Sequence, residues 1–253
     1  MTLFPQLSRR GVEVIDRRQV SSTNVLVKAM LADGELKQPV LMLADEQTAG
    51  HGKFDRHFYS APNCGAYFSI GLPLVSLPAN WTPQHLTVTA AVAVYQVASR
   101  FFHCDLTIKW VNDHYRGNRK VTGILAETAL DHSNQLQGLV IGCGIDLTTD
   151  PHLPAAIRAK VGALTDEPVS GTQRRAFVDQ VGAHFLDLLA APWDQVLAVY
   201  RDHQYLQGKE LTVWIGEQEV SGSFAQITGD GYLQIKTATG LRTFSAGTVR
   251  LQQ

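Results

Sequence analysis

Apolar residues recur at two spacings along this chain, and the change from one to the other marks its elements. Residues 12–15 predict a short strand. Ser21-Ser22-Thr23-Asn24 then offers several N-caps for a helix running to about residue 32, with Gly34 just past its end and Val25, Leu26, Ala29 and Met30 as its apolar face. Residues 40–44, 66–72 and 139–146 are apolar enough to be buried strands, the last containing Gly142 and Gly144, where backbone can approach a neighbour closely. Thr82-Pro83 opens a long helix to about residue 102 whose inner face is Leu86, Ala90, Ala93, Val94 and Val97. Residues 150–171 hold three prolines and predict irregular chain; 172–190 predict an amphipathic helix on Phe177, Val181, Phe185 and Leu188, and a further helix spans 193 to about 205.

From Gly208 the texture changes to short alternating runs, Leu211/Val213/Ile215, Phe224/Ile227, Leu233/Ile235 and Val249/Leu251, split by glycine turns. They predict a small β-barrel that needs the rest of the chain to pack against. The expected fold is α+β: a mixed sheet flanked by helices over residues 1–206, and the barrel over 207–253.

The chemistry concentrates between residues 106 and 127. A strand over 106–111, turn residues Asn112-Asp113, a second turn at Gly117-Asn118 and a strand from 119 to about 128 predict a hairpin at one end of a sheet. It carries four cations, Lys109, Arg116, Arg119 and Lys120. Edge strands often carry Lys and Arg to stay soluble. Here Asn112-Asp113 also supplies oxygens for a hydrated divalent cation, and Gly123 leaves room for a ligand beside Lys120. That company points to a nucleoside triphosphate. Ahead of it, Gln47-Thr48-Ala49-Gly50-His51-Gly52-Lys53-Phe54-Asp55-Arg56 makes a glycine-bearing basic loop whose N–H groups and cations can wrap an anion. It matches neither the Walker loop nor the dinucleotide fingerprint.

Charge narrows the partners. With 22 basic and 23 acidic residues the formal charge is −1, which leaves no general footprint for nucleic acid or an anionic membrane. The cysteines, Cys64, Cys104 and Cys143, show no metal-ligand spacing and read as reduced thiols of a cytoplasmic protein. No apolar run approaches the roughly 18 residues of a membrane span.

Taken in order, Ser21-Ser22-Thr23-Asn24, Gln47-x-x-Gly50-x-Gly52, Lys109-Trp110-x-Asn112-Asp113, Arg119-Lys120-x-x-Gly123-Ile124-Leu125 and Ile141-Gly142-x-Gly144-Ile145 make the chain resemble the biotin protein ligases, which use ATP to couple biotin to a lysine of a carrier domain. The resemblance implies an SH3-like barrel, ATP and Mg²⁺ as cofactors, and a biotin carrier domain of a carboxylase as partner. It assigns the biotin site to Ser22, Thr23, Asn24, Gln47, Gly50, His51, Gly52, Lys53, Lys120, Gly123 and Gly142. ATP falls to Lys53, Arg56, Lys109, Asn112 and Lys120, with Lys120 and Arg56 catalytic and Asp113 the Mg²⁺ ligand. The loop would close over the adenylate, and removing the barrel would impair transfer more than biotin binding. Only about twenty residues precede Ser21, too few for the helix-turn-helix of DNA-binding relatives. The expected form is therefore the short one, without nucleic acid or membrane as partner and with a possible homodimer. The family's loop has arginines at positions 51 and 53 and glycine at 55, where this chain has His51, Lys53 and Asp55, and Asp146 replaces the usual Asn. Two alternatives share the fold: a lipoate or octanoate ligase, and a relative that binds biotin without transferring it.

Overall fold

The computed structural model describes residues 3–53, 56–79 and 81–252. In chain order the elements are α1 Pro5–Arg9, β1 Glu13–Val20, α2 Thr23–Ala32, β2 Val40–Gln47, β3 Gly65–Pro73, α3 Pro83–Phe101, β4 Thr107–Lys109, β5 Asp113–Arg116, β6 Arg119–Leu130, β7 Leu136–Asp146, α4 Ala155–Arg158, α5 Gly171–Leu189, α6 Trp193–Asp202, and β8 Glu210–Ile215, β9 Gln218–Ile227, β10 Leu233–Thr237, β11 Gly240–Phe244 and β12 Thr248–Leu251. Two sheets result. The seven-stranded one runs β1-β2-β3-β7-β6-β5-β4, with β1 and β2 parallel and every other pair antiparallel. The expected hairpin therefore occupies one end of the sheet, although Asp113 opens β5 and the turn is made by the three residues before it.

Successive side chains of a strand point to opposite faces, so each face of the sheet has its own core. Leu41, Leu43, Phe68, Ile70, Leu72, Ile141, Cys143 and Ile145 pack with α3 and α5 in one apolar cluster. On the other face Val40, Met42, Ala129 and Val140 pack with Val27 and Leu31 of α2. Helix α3 is buried on nearly every side from Leu86 to Val94, because it lies between this sheet, α5 and α6.

Helix α2 begins as expected, with Ser22 Oγ accepting from Val25 N and Gly34 at φ 71° past its end. Its buried face differs from the expected one. Thr23, Asn24, Val27 and Leu31 are inside, whereas Val25 is 49% exposed. The cause lies in the strands beneath. A Cβ on Gly71 would stand 2.6 Å from Val27, one on Gly138 would stand 3.1 Å from Leu31, and one on Gly142 would overlap the Asn24 amide. Three glycines let the helix settle on that stripe, and two polar side chains are carried into the sheet with it.

The C-terminal sheet has the order β11-β10-β9-β8-β12 with antiparallel neighbours throughout. Among the described residues its two end strands do not pair, so the expected barrel is an open sheet. Its inner residues Leu211, Val213, Ile227, Leu233, Ile235, Phe244 and Val249 join the core that contains α3. The turn after β9 is clasped by donors from α3, α6 and the β4–β5 turn: Trp110 Nε1 and Gln84 Nε2 bond Gly231 O at 3.0 and 2.6 Å, and Trp193 Nε1 bonds Gly229 O at 2.7 Å. Burying that core and pairing those carbonyls is how so short a segment gains stability.

Candidate functional site

A cavity of about 530 Å³ opens between the N-terminus of α2, the loop after β2, the strands β4 to β7, residues 159–161 and residues 247–250. Ser22, Thr23, Asn24, Gln47, His51, Gly52, Lys53, Arg56, Lys109, Asn112, Asp113, Lys120, Gly123 and Gly142 all line it. Gly50 does not. A Cβ there would stand 2.8 Å from Ser60 Oγ and 3.0 Å from Gln47 Nε2, so Gly50 makes room for the side chains that orient Gln47. Phe54 and Asp55 of the same loop lie outside the described residues.

One end of the cavity is a neutral hydrogen-bonding network. Gln47 Oε1 accepts from Thr23 N at 2.8 Å and faces Thr23 Oγ1 at 3.1 Å, while Gln47 Nε2 donates to Ser60 Oγ at 3.1 Å. Ser69 Oγ, buried in β3, lies 2.7 Å from Thr23 Oγ1 and 2.6 Å from Asn24 Oδ1. Asn24 Nδ2 donates to Glu127 Oε2 at 2.8 Å. Each amide and hydroxyl is thereby held in one orientation before any ligand arrives. Preorganised polar groups of this kind fix a ligand's orientation inside an otherwise apolar cleft.

The other end is cationic. Lys120 Nζ lies 2.7 Å from Asp113 Oδ1. The Lys120 backbone is anchored separately, its N–H donating to Lys160 O at 2.9 Å and its carbonyl accepting from Gly162 N at 2.8 Å. Lys53 is sunk deeply enough that burial, reinforced by Lys120 and opposed by Asp113, pulls its amine down to about 8. Burial also lowers Lys109, whose Nζ donates to Val249 O at 2.8 Å. Arg56 Nη2 donates to Thr248 Oγ1 at 3.2 Å. Asn112 is braced against β6 by an Nδ2 bond to Ile124 O.

The glycines of β6 and β7 connect the two ends. Gly142 makes room for Asn24; two residues along β7, a Cβ on Gly144 would strike the Phe58 ring at 2.5 Å, and its cross-strand partner Gly123 lies under Lys120 Nζ. Each strand residue advances roughly 3.3 Å, so the neutral end and Lys120 are separated by little more than the length of a short aliphatic chain. The glycine loop folds over this track as a short ladder, with Phe58 N donating to Gly50 O at 2.9 Å and Gly52 N to Arg56 O at 2.8 Å.

Two expected cations do not contribute. Arg116 turns away to Ala163 O and Asp166, and Arg119 is exposed; neither lines the cavity, because they pair with each other beside the Tyr115–Lys120 pair, and neighbouring pairs face opposite sides of the sheet. Sequence reasoning missed Ser69, Phe58, Glu127 and residues 247–250. Ser69 was detectable as the lone serine in the apolar run of β3. The wall from Gly247 to Arg250 carried no such signal, since it comes from the distant C-terminal sheet.

Comparison with known proteins fits this geometry. A family model described as the biotin/lipoate A/B protein ligase family matches residues 16–146, and one described as the biotin protein ligase C-terminal domain matches residues 208–251. The bifunctional ligase/repressor BirA of Bacillus subtilis is 34% identical over 122 residues, covering 48% of this chain and 37% of that protein. The biotin--[acetyl-CoA-carboxylase] ligase of Mycobacterium tuberculosis is 26% identical over 240 residues, covering 91% and 86%. The match to the first of these, and to its Bacillus spizizenii counterpart at 41%, thus spans less than half of the relative's length. Among solved structures, the biotin protein ligase from Aquifex aeolicus in complex with biotin and ATP superposes with a TM-score of 0.80 at 21% identity, over 95% of this chain and 99% of that one. With just over half its length matched by the family model, the chain belongs to the biotin/lipoate A/B protein ligase family.

Proposed function

We propose that this protein adenylates biotin with ATP and transfers the biotinyl group to a lysine of a carboxylase's biotin carrier domain. The observation that carries the reading is the position of Lys120, between a neutral end suited to a ureido ring and a cationic end suited to phosphates. Thr23, Asn24 and Gln47, the first two held by Ser69 behind them, present amide and hydroxyl groups of both polarities, which a cyclic urea, itself donor and acceptor, would satisfy.

Biotin's carboxylate then lies toward Lys120 and attacks the α-phosphorus of ATP. The acyl–phosphate bond forms as the bond to pyrophosphate breaks, and negative charge grows on the phosphate oxygens. Lys120, Lys53, Lys109 and Arg56 meet that charge with fixed cations. Mg²⁺, when bound, would supply further positive charge for the departing phosphates. Among the described residues no group of three or more His, Cys, Asp or Glu gathers; Asp113, which lines the cavity, is the carboxylate that would hold the ion, and one carboxylate with substrate phosphates and water is a usual way to bind Mg²⁺ at nucleotide sites. The glycine loop would shield the mixed anhydride from water until the carrier amine attacks the acyl carbon and AMP leaves.

Within this reading, residues 1–206 form the substrate-binding unit and 207–253 the second unit, which supplies one wall of the cavity. The three free thiols and a demand for ATP suit the cytoplasm. Edge strand β1, unpaired on one side among the described residues, leaves room for a homodimer. No helix among the described residues is long and apolar enough to cross a membrane. Pyrophosphate release with biotin against lipoate, followed by transfer of labelled biotin to a carrier domain, tests the function. Release with biotin and labelled carrier is expected; release with lipoate alone would overturn it.

A further inference from the structure

Glu127 does not line the cavity; it stands behind the lining residues and reaches two of them. Its Oε2 accepts from Asn24 Nδ2 at 2.8 Å and lies 3.4 Å from His51 Nε2, and its Oε1 accepts from Lys28 Nζ at 3.2 Å. These partners come from helix α2 and from the glycine loop, while Glu127 itself belongs to β6. One carboxylate therefore ties the helix to the loop across the mouth of the cavity.

We infer that Glu127 is a positioning residue: it locks the Asn24 amide for the ureido end of biotin and latches the glycine loop through His51. The inference rests on the biotin reading above and assigns a part to a residue that reading leaves idle. Asn24 shows why a lock is needed. Its Oδ1 faces Ser69 Oγ at 2.6 Å and its Nδ2 faces Glu127, so a flipped amide would set oxygen against carboxylate. With Glu127 gone, the amide has a partner on one side only and can turn. The ionisation of the carboxylate suits an anchor. Burial alone would raise its pKa, but the bonds from Asn24 and Lys28 and the charges of Lys28 and His51 outweigh burial and hold it below the usual range. An ionised acceptor binds its donors more strongly than a neutral one.

The test is a pair of double-mutant cycles on the full-length protein. Biotin affinity is measured by calorimetry for Asn24→Ala, Glu127→Ala and the combination; adenylate release is measured for His51→Ala, Glu127→Ala and their combination. If Glu127 acts through these partners, Glu127→Ala weakens biotin about ten-fold or more, and each double variant is no worse than its lining single variant. Should Glu127→Ala fail to fold, Glu127→Gln carries the test. It keeps an acceptor for Asn24 but loses the charge facing His51, so near-normal biotin affinity with several-fold faster adenylate release is expected. Additive cycles, or wild-type affinity and release in both variants, overturn the inference. Wild-type protein that neither binds biotin nor releases pyrophosphate would instead sink the functional reading itself.

Discussion

Lys120 and Asp113 face each other across strands β5 and β6, with Nζ and Oδ1 2.7 Å apart, at the point where the glycine track meets the cationic end of the cavity. Both side chains keep contact with solvent, so the pair adds little to stability, as surface ion pairs generally do. In the proposed reaction Asp113 serves to hold the ammonium at the cavity.

Replacing Lys120 by Ala should therefore leave the melting temperature nearly unchanged while biotin-dependent pyrophosphate release falls by roughly 10²-fold or more. Arg at the same position should rescue poorly, since its planar fork cannot replace a point charge in a site shaped by Gly123. Pyrophosphate release and thermal melts on the same samples check both. Undiminished release from Lys120→Ala would remove the residue from the mechanism.

Gly142→Ala offers a steric test of the neutral end. Its new Cβ would overlap the Asn24 amide, which must then leave its place between Ser69 and Glu127. The KM for biotin should rise by about an order of magnitude or more, with the KM for ATP nearly unaffected. Equal changes in both would point to a general distortion of the sheet.

Nucleotide binding should depend on pH through Lys53. Its amine is pulled from 10.5 to about 8, so the charge offered to phosphates is largely present at pH 7 and is lost as pH rises through 8. The KM for ATP should climb between pH 7 and 9, and Lys53→Arg should flatten the profile because guanidinium stays charged. The stability sign follows from the same shift. Between pH 8 and 10.5 the unfolded chain binds the extra proton, so this residue's contribution to folding improves as pH rises across that window.

Acid stability should report on His114. Its ring is fully buried in β5, with Nε2 2.9 Å from Ala91 O and Nδ1 without a partner among the described residues, and burial depresses its pKa from 6.5 to about 4. The neutral form is the folded one. The stabilisation it supports is intact above pH 6.5 and is lost as pH falls toward 4, on the order of 3 kcal/mol in all. His114→Gln should make urea midpoints between pH 6.5 and 4.5 less sensitive to acid than in the wild type; parallel curves would show that other groups govern acid unfolding.

Truncation at residue 207 now has a different expected outcome from the one suggested by motif positions. Lys109 would lose Val249 O, Arg56 would lose Thr248 Oγ1, and the apolar face that joins α3 to the second sheet would be exposed. Adenylation should fail together with transfer, and the truncated chain should aggregate. A soluble truncation that still releases pyrophosphate would show the C-terminal sheet to be separable.

Local order was legible in the sequence wherever neighbours in the chain decide the outcome. The cap at Ser22, the long helix after Thr82-Pro83, the hairpin around Gly117-Asn118 and the glycine-bearing loop all follow from short-range hydrogen bonds and backbone preference, and the structure has each of them. So do most of the cavity's residues, because the motifs that hold them sit on those elements. Tertiary packing decided the rest. Which face α2 buries depends on Gly71, Gly138 and Gly142, residues of strands far along the chain, and periodicity within the helix carries no trace of them. The same holds for Glu127 and for Thr248 and Val249: a carboxylate at the end of an apolar run and a short terminal strand are chemically silent until the fold brings them against His51, Arg56 and Lys109. Arg116 and Arg119 show the converse, for charge is visible in a sequence but direction is not, and the register that pairs Arg116 with Arg119 and Tyr115 with Lys120 determines which of three neighbouring cations faces the cavity.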